Sequence, residues 1–306
     1  MHTLTNTFKT AALLAALGGL LVFIGGLLGG QSGMVMALVF AVALNAFVYW
    51  KSDTLALKAN GARELGLGEA PRLRQIVTSL AHRADIPVPR IYLVDRPEPN
   101  AFASGRDPDH SAIAVTSGLL ELVNERQLTG VLAHELSHVK NRDTLIGTIA
   151  ATIGGAVSFL AQIAQFQLIF GGRDDDNGGN PFGALVAIIL APIAAMIIQL
   201  AVSRGREYYA DSSGASLTGD PEGLAQALEQ LEAANKSRGL LGAIRRSRGE
   251  RGAPAPAPAP AANPAFAHLY IVNPLAGASI GGLFSTHPPI PDRVRRLRSM
   301  ALGRAA

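Results

Sequence analysis

The sequence predicts an α-helical integral membrane protein that carries, on one side of the bilayer, an α+β domain with a small β-sheet. Three observations predict this. Four apolar stretches are long enough to cross a hydrocarbon core, and nearly all basic residues fall in segments on one side of them. The polar segments between them hold both strand-like runs and amphipathic helical patterns.

Ala11 to Gly30 is twenty residues without a charge, and Met34 to Trp50 is another seventeen, with only Gln31, Ser32 and Gly33 between them. Each can cross a core of about 30 Å, so residues 1–52 are expected to form a transmembrane helical hairpin. The length of the first run, and a second directly behind it, argue against a signal peptide.

Residues 53–144 and 204–306 together suffice for one domain with a core. Pro71 starts a helix whose Leu73, Ile76, Val77, Leu80 and Ala84 recur at core spacing; His82 on that helix reads as a surface residue. Arg90 to Val94, Asn100 to Gly105 and Ser111 to Thr116 read as strands, with His110 in the turn between the last two.

The helix-forming stretch Leu128 to Val139 contains His134, Glu135, Leu136, Ser137 and His138, the pattern H-E-x-x-H. At about 3.6 residues per turn both imidazoles project from one face and can reach one Zn²⁺. Glu135 lies beside them, where a carboxylate can act as general base on the metal's water without ligating the metal. This chemistry hydrolyses amides. Asn141 and Thr144 stand where a metzincin would have glycine and a third histidine, which excludes that class. The absence of cysteine excludes a deformylase-type ligand set.

Residues 145–203 are expected to form a second transmembrane hairpin. Leu145 to Phe170 carries Gln162, Gln165 and Gln167, and Phe182 to Val202 is apolar apart from Gln199, with a possible kink at Pro192. Such a hairpin returns the chain to the membrane face of the histidines. There Glu207 and Asp211 form an i, i+4 pair in the next helix. Glu207 is the expected third metal ligand, with Asp211 accepting from the outer N–H of a ligating histidine.

Asp220 and Pro221 open a further helix with Leu224, Leu228 and Leu231 on one stripe. Composition then changes. Arg238 to Arg251 is basic and Ala253 to Pro264 is largely alternating Ala and Pro, so a flexible insertion is expected at about 238–264. Ser285 to Pro291 leads into a last helix with Val294, Leu297 and Met300 inward.

Orientation follows from charge. Lys9, Lys51, Lys58, Lys140, Arg142, Arg204 and Arg206 fall on one side of the four stretches, and of 27 basic residues only Arg173, in a short acidic loop, falls on the other. By the positive-inside rule both termini and the candidate site face the cytoplasm, a placement with which the lack of cysteine agrees. The pI near 9.6 then reflects topology and attraction to anionic headgroups; no nucleic-acid motif accompanies it.

Taken together, the N-terminal hairpin, Asn100-Ala101-Phe102-Ala103-Ser104-Gly105, H-E-x-x-H with Lys140-Asn141-Arg142-Asp143, the second hairpin, Glu207-Tyr208-Tyr209-Ala210-Asp211 and Phe284-Ser285-Thr286-His287-Pro288-Pro289 resemble the HtpX family of bacterial membrane-bound zinc metalloproteases, relatives of the CaaX prenyl proteases. The resemblance covers nearly the whole chain and implies a zincin-like catalytic domain in the inner membrane. It implies one zinc on His134, His138 and Glu207, catalysis by Glu135, and cleavage of misfolded membrane proteins on the cytoplasmic side, a quality-control role under stress. It further implies that substrate docks along an edge strand at Asn100, Ala101, Phe102 and Ala103, and that His287 donates to the transition state. Gly205 and the Ala-Pro insertion depart from the family pattern. The alternatives are a CaaX-type processing peptidase and a scaffold in which zinc only staples two helices; Glu135 argues against the latter.

Overall fold

The computed structural model describes residues 2–147, 149, 204–247, 271 and 288–303. Most of the second apolar hairpin, the Ala-Pro segment and His287 lie outside the described residues.

Helix α1 (His2–Ala59) is helical throughout but not straight. A straight helix of that length would extend about 87 Å, yet the Asn45 side-chain amide donates to the Leu14 carbonyl at 3.0 Å. The chain therefore reverses on itself. Gly30, at φ +57°, supplies the left-handed residue for that reversal, one position before the expected linker. The arm Gly30–Ala59 has a mean hydropathy of 1.9 over its apolar window and leaves Met36, Phe40, Phe47 and Trp50 exposed.

Its far end packs on a four-stranded sheet of β1 (Ala62–Glu64), β2 (Arg90–Val94), β3 (Ala101–Gly105) and β4 (Ser111–Thr116), in the order β1-β2-β4-β3. Strands β2 and β4 are parallel; the other two pairings are antiparallel. Alternation along the strands sorts the two faces. Tyr92, Val94, Phe102, Ala112 and Ala114 meet Ala56 and Leu57 of α1. Ile91, Ala101, Ala103, Ile113 and Val115 face the main core. Between β3 and β4 a short 3₁₀ turn, Pro108–His110, leaves His110 exposed against Asp107, as its turn position implied.

That core is centred on α4 (Glu125–Asn141). A reciprocal capping box starts it: Asn124 accepts from the Gln127 N–H, and Gln127 accepts from the Asn124 N–H. Around α4 stand α2 (Pro71–Ala84), α5 (Arg204–Thr218), α6 (Pro221–Ser247) and α7 (Ile290–Gly303). A short α3 (Ser117–Leu122) links sheet to α4. All five expected core residues of α2 are buried, and His82 is exposed. Asp220 caps α6, accepting from the Gly223 N–H at 3.2 Å, and Leu224, Leu228 and Leu231 are buried.

Two glycines set the helix spacing. A Cβ on Gly214 of α5 would lie 2.9 Å from the His134 backbone nitrogen, and one on Gly130 would lie 2.7 Å from that of Leu224. Only glycine lets α5 and α6 approach α4 this closely, and the first approach falls at the level of the histidines.

Helix α6 runs through Arg238 to Ser247, because Leu240, Leu241, Ala243, Arg245 and Arg246 are strong helix formers and Gly239 and Gly242 cost only about 1 kcal/mol each.

Candidate metal centre

Residues His134 and His138 stand one turn apart on the buried face of α4, and Glu207, in the first turn of α5, closes on them from the side. The two Nε2 atoms are 3.1 Å apart. Glu207 Oε2 lies 3.7 Å from His134 Nε2, and Oε1 lies 3.7 Å from His138 Nε2. One ligand atom from each residue falls within 4.8 Å of the others.

The opposite ring nitrogens explain why the Nε2 atoms converge. Asp211 Oδ1 lies 2.9 Å from His134 Nδ1, and both oxygens of Asp143 lie 3.1 Å from His138 Nδ1. Each carboxylate claims the Nδ1 proton, which leaves both Nε2 lone pairs facing each other beside a third acceptor. Three converging acceptors repel unless a cation sits among them, either the proton held on His138 in the metal-free site or a metal ion. The donor set therefore fits a divalent metal with two imidazoles and one carboxylate.

A second layer of charge holds the carboxylates. Arg293 of α7, fully buried, donates from Nε and Nη2 to the two oxygens of Asp211 at 2.8 and 2.6 Å. Its Nη1 donates to the Ile271 carbonyl at 3.3 Å and lies 3.8 Å from Glu207 Oε2. Arg206 Nε lies 3.8 Å from Asp143 Oδ2. Burial works against a carboxylate charge on Asp211, but Arg293 and the His134 hydrogen bond hold its pKa down at about 2. Burial likewise disfavours charge on His138, yet Asp143, Glu207 and Glu135 push it up to about 10 in the metal-free site. His134 moves the other way, lowered chiefly by burial.

Glu135 is 2 % exposed. Burial, opposed by the His138 charge and reinforced by Glu207, pushes its pKa up to about 8. The Ala103 N–H of β3 faces its carboxylate, so the acid–base candidate lies against the strand at the sheet's edge. That edge makes further contacts. The Ala101 carbonyl accepts from the Ile271 N–H at 3.3 Å, and the Gly105 carbonyl accepts from the Thr144 hydroxyl at 2.7 Å. Asn100 is buried, its backbone paired with Thr116 and its Oδ1 accepting from the Ala101 N–H at 3.1 Å.

The structure thus brings His134, Glu135, His138, Glu207, Asp211 and the Ala103 backbone together, while His287 lies outside the described residues. The sequence reading did not assign Arg293, Asp143 or Arg206. Arg293 had a signal: it lies one turn before Leu297, beside the apolar stripe of Val294, Leu297 and Met300, where an unpaired charge would be out of place.

A helix-borne histidine pair, a carboxylate from a later helix and a buried glutamate beside them define a metal-dependent hydrolase that activates water. Comparison with known proteins narrows this. Residues 68–301 match Peptidase family M48. A protein from Persephonella marina named Protease HtpX homolog is 52% identical over 297 residues, 97% of this chain and 98% of that one. Proteins of the same name from Desulforapulum autotrophicum and Pyrococcus furiosus are each 48% identical, over 96% of this chain and 89% and 96% of theirs. The crystal structure of S. mikatae Ste24p superposes with a TM-score of 0.49 at 18% identity, covering 96% of this chain and 66% of that chain. The chain belongs to peptidase family M48 and, within it, to the HtpX proteases; it is a metalloprotease.

The Glu135 shift predicts a pH dependence of the metal-free protein. The folded state keeps on Glu135 a proton that the unfolded chain releases near 4.5, so this residue's contribution to stability falls as pH rises from there to about 8 and is flat above. Glu135→Gln carries no such proton. With zinc chelated, it should melt above wild type at pH values over about 8 and converge with it towards about 4.5. A difference independent of pH would contradict the assignment.

Proposed function

We propose that the chain is a membrane-anchored zinc endopeptidase that cleaves misfolded or damaged membrane proteins at the cytoplasmic face. The observation that carries the reading is the convergence of two Nε2 atoms and Glu207 beside a buried Glu135 that lies against an edge strand. Zinc is the metal such a nitrogen and carboxylate set favours; when bound it supplies Lewis acidity and lowers the pKa of its water towards about 7.

The chain's own residues do the rest. His134, His138 and Glu207 hold the metal. Glu135 takes the proton of the attacking water and returns it to the leaving amine, a role suited by a pKa raised towards neutrality. An extended substrate segment lies along the β3 edge at Asn100, Ala101, Phe102 and Ala103, recognised by main-chain hydrogen bonds that accept any sequence. For full pairing there, the Ile271 N–H must yield the Ala101 carbonyl and Asn100 Oδ1 must yield the Ala101 N–H.

The membrane reading rests on the Gly30–Ala59 arm, which is long and apolar enough to span and keeps Met36 (74%) and Trp50 (61%) exposed. Such surface needs lipid or other apolar partners. Four spans with the site inside follow from the one-sided distribution of lysine and arginine.

Purified in detergent, Glu135→Gln should retain zinc and lose nearly all cleavage of a membrane-protein substrate, because a carboxamide cannot take the proton. Glu207→Ala should lose both. Cleavage by Glu135→Gln, or wild-type zinc affinity in Glu207→Ala, would remove that residue from its role. For topology, a reporter fused after Ala306 should be cytoplasmic and one inserted at Gly178 external; the reverse pattern would overturn the orientation.

A further inference from the structure

The metal centre contains the same device twice. On one side His134 leans on Asp211, and Asp211 on Arg293. On the other, His138 Nδ1 is 3.1 Å from both oxygens of Asp143, which is 4% exposed, and Arg206 Nε stands 3.8 Å behind. We propose that Asp143 is a positioning residue for the zinc protease site, fixing the tautomer and orientation of His138 with Arg206 as its support.

Three features carry this beyond a chance contact. Asp143 is placed by the helix end itself: Arg142 takes the left-handed conformation at φ 56°, and the Asp143 N–H then donates back to the His138 carbonyl at 3.3 Å. The aspartate is thereby folded under the same histidine that its side chain contacts. Its symmetrical approach, both oxygens equidistant from Nδ1, suits a carboxylate that accepts one N–H and holds the ring plane. Finally, Arg206 directly precedes Glu207. The Asp143–Arg206 pair therefore ties the end of α4 to the start of α5, the geometry that leaves Glu207 Oε1 3.7 Å from His138 Nε2.

Asp143 has a competing structural role. It stands where the next helical turn begins, its carbonyl accepting from the Gly147 N–H at 3.4 Å, a place where aspartate commonly serves as a cap. Serine and asparagine cap a helix about as well as aspartate, but serine is too short to reach the imidazole. Asp143→Ser therefore separates the two roles.

The inference rests on the His134–His138–Glu207 site proposed above, so wild type and variants are measured side by side. The full chain is purified in detergent and stripped of zinc. Zinc affinity is then read by competition with a chromophoric chelator, and the zinc-free melting midpoint is recorded. Asp143→Ser should bind zinc about 10-fold to 100-fold more weakly, and its zinc-free midpoint should fall too, because Asp143 also pairs with Arg206 and with the His138 charge in the metal-free site. Asp143→Asn, whose amide oxygen can still accept from Nδ1–H without the full charge, should fall between. Wild-type affinity in both variants would overturn the positioning role alone. A cap alone would leave both variants at wild-type zinc affinity and midpoint, because Ser and Asn cap a helix as Asp does. Should the Ser variant not fold, weakened zinc binding by a folded Asn variant supports the proposal and wild-type binding refutes it. Failure of the wild type to bind zinc would bring down the metal site itself.

Discussion

Asp211 and Arg293 form a buried ion pair on which the arrangement of the metal centre depends. Four largely buried carboxylates, Glu135, Asp143, Glu207 and Asp211, are packed beside two imidazoles. Such a cluster repels itself, and each buried ion carries a desolvation cost of several kcal/mol. A buried pair compensates only with good geometry and full hydrogen bonding. Arg293 meets that condition with two short, forked bonds to Asp211, a third to the Ile271 carbonyl and a contact with Glu207. Burial favours its neutral form, but Asp211 holds its pKa above the usual arginine value, so the charge persists. Because Arg293 belongs to α7 and Asp211 to α5, the site is complete only when the last helix is docked.

Backbone packing delivers these side chains to one point. The capping box fixes where α4 starts, and its buried stripe of Leu128, Val131, Leu132 and Leu136 seats it among the sheet and helices. The small residue at Gly214 then brings α5 against the His134 backbone, within reach for Asp211 on one ring nitrogen and Glu207 on the other. On the opposite side β3 approaches Glu135 through the Ala103 N–H. Ligands, base and strand edge thus converge on one short segment of α4.

Much of this was legible in the sequence. The i, i+4 histidines put two imidazoles on one face whatever the tertiary fold, because helix geometry alone enforces it. Glu207 and Asp211 could be paired with them because an expected second hairpin would return the chain to the same side, and their own i, i+4 spacing matches that of the histidines. Other features were illegible for identifiable reasons. Strand β1 is three residues long, Ala62-Arg63-Glu64, too short and too exposed to show alternation. Asp143 lies five residues past His138, and only the left-handed turn at Arg142 brings it back underneath. Helix α6 extends to Ser247, past the composition change at Arg238, because leucine, alanine and arginine favour the helix there. Arg293 shows how long-range pairing hides: its partner is 82 residues away, and local pattern gives only an arginine beside an apolar stripe.

The central claim, that this buried pair holds the centre together, is tested most directly by denaturant unfolding of the zinc-free chain in mixed micelles. Arg293→Met leaves Asp211 charged with only the His134 contact, and should cost about 3–5 kcal/mol. Adding Asp211→Asn removes that stranded charge, so the double variant should recover part of the loss, well short of additivity. An Arg293→Met protein as stable as wild type, or a double variant whose loss equals the sum of the two singles, would contradict the account.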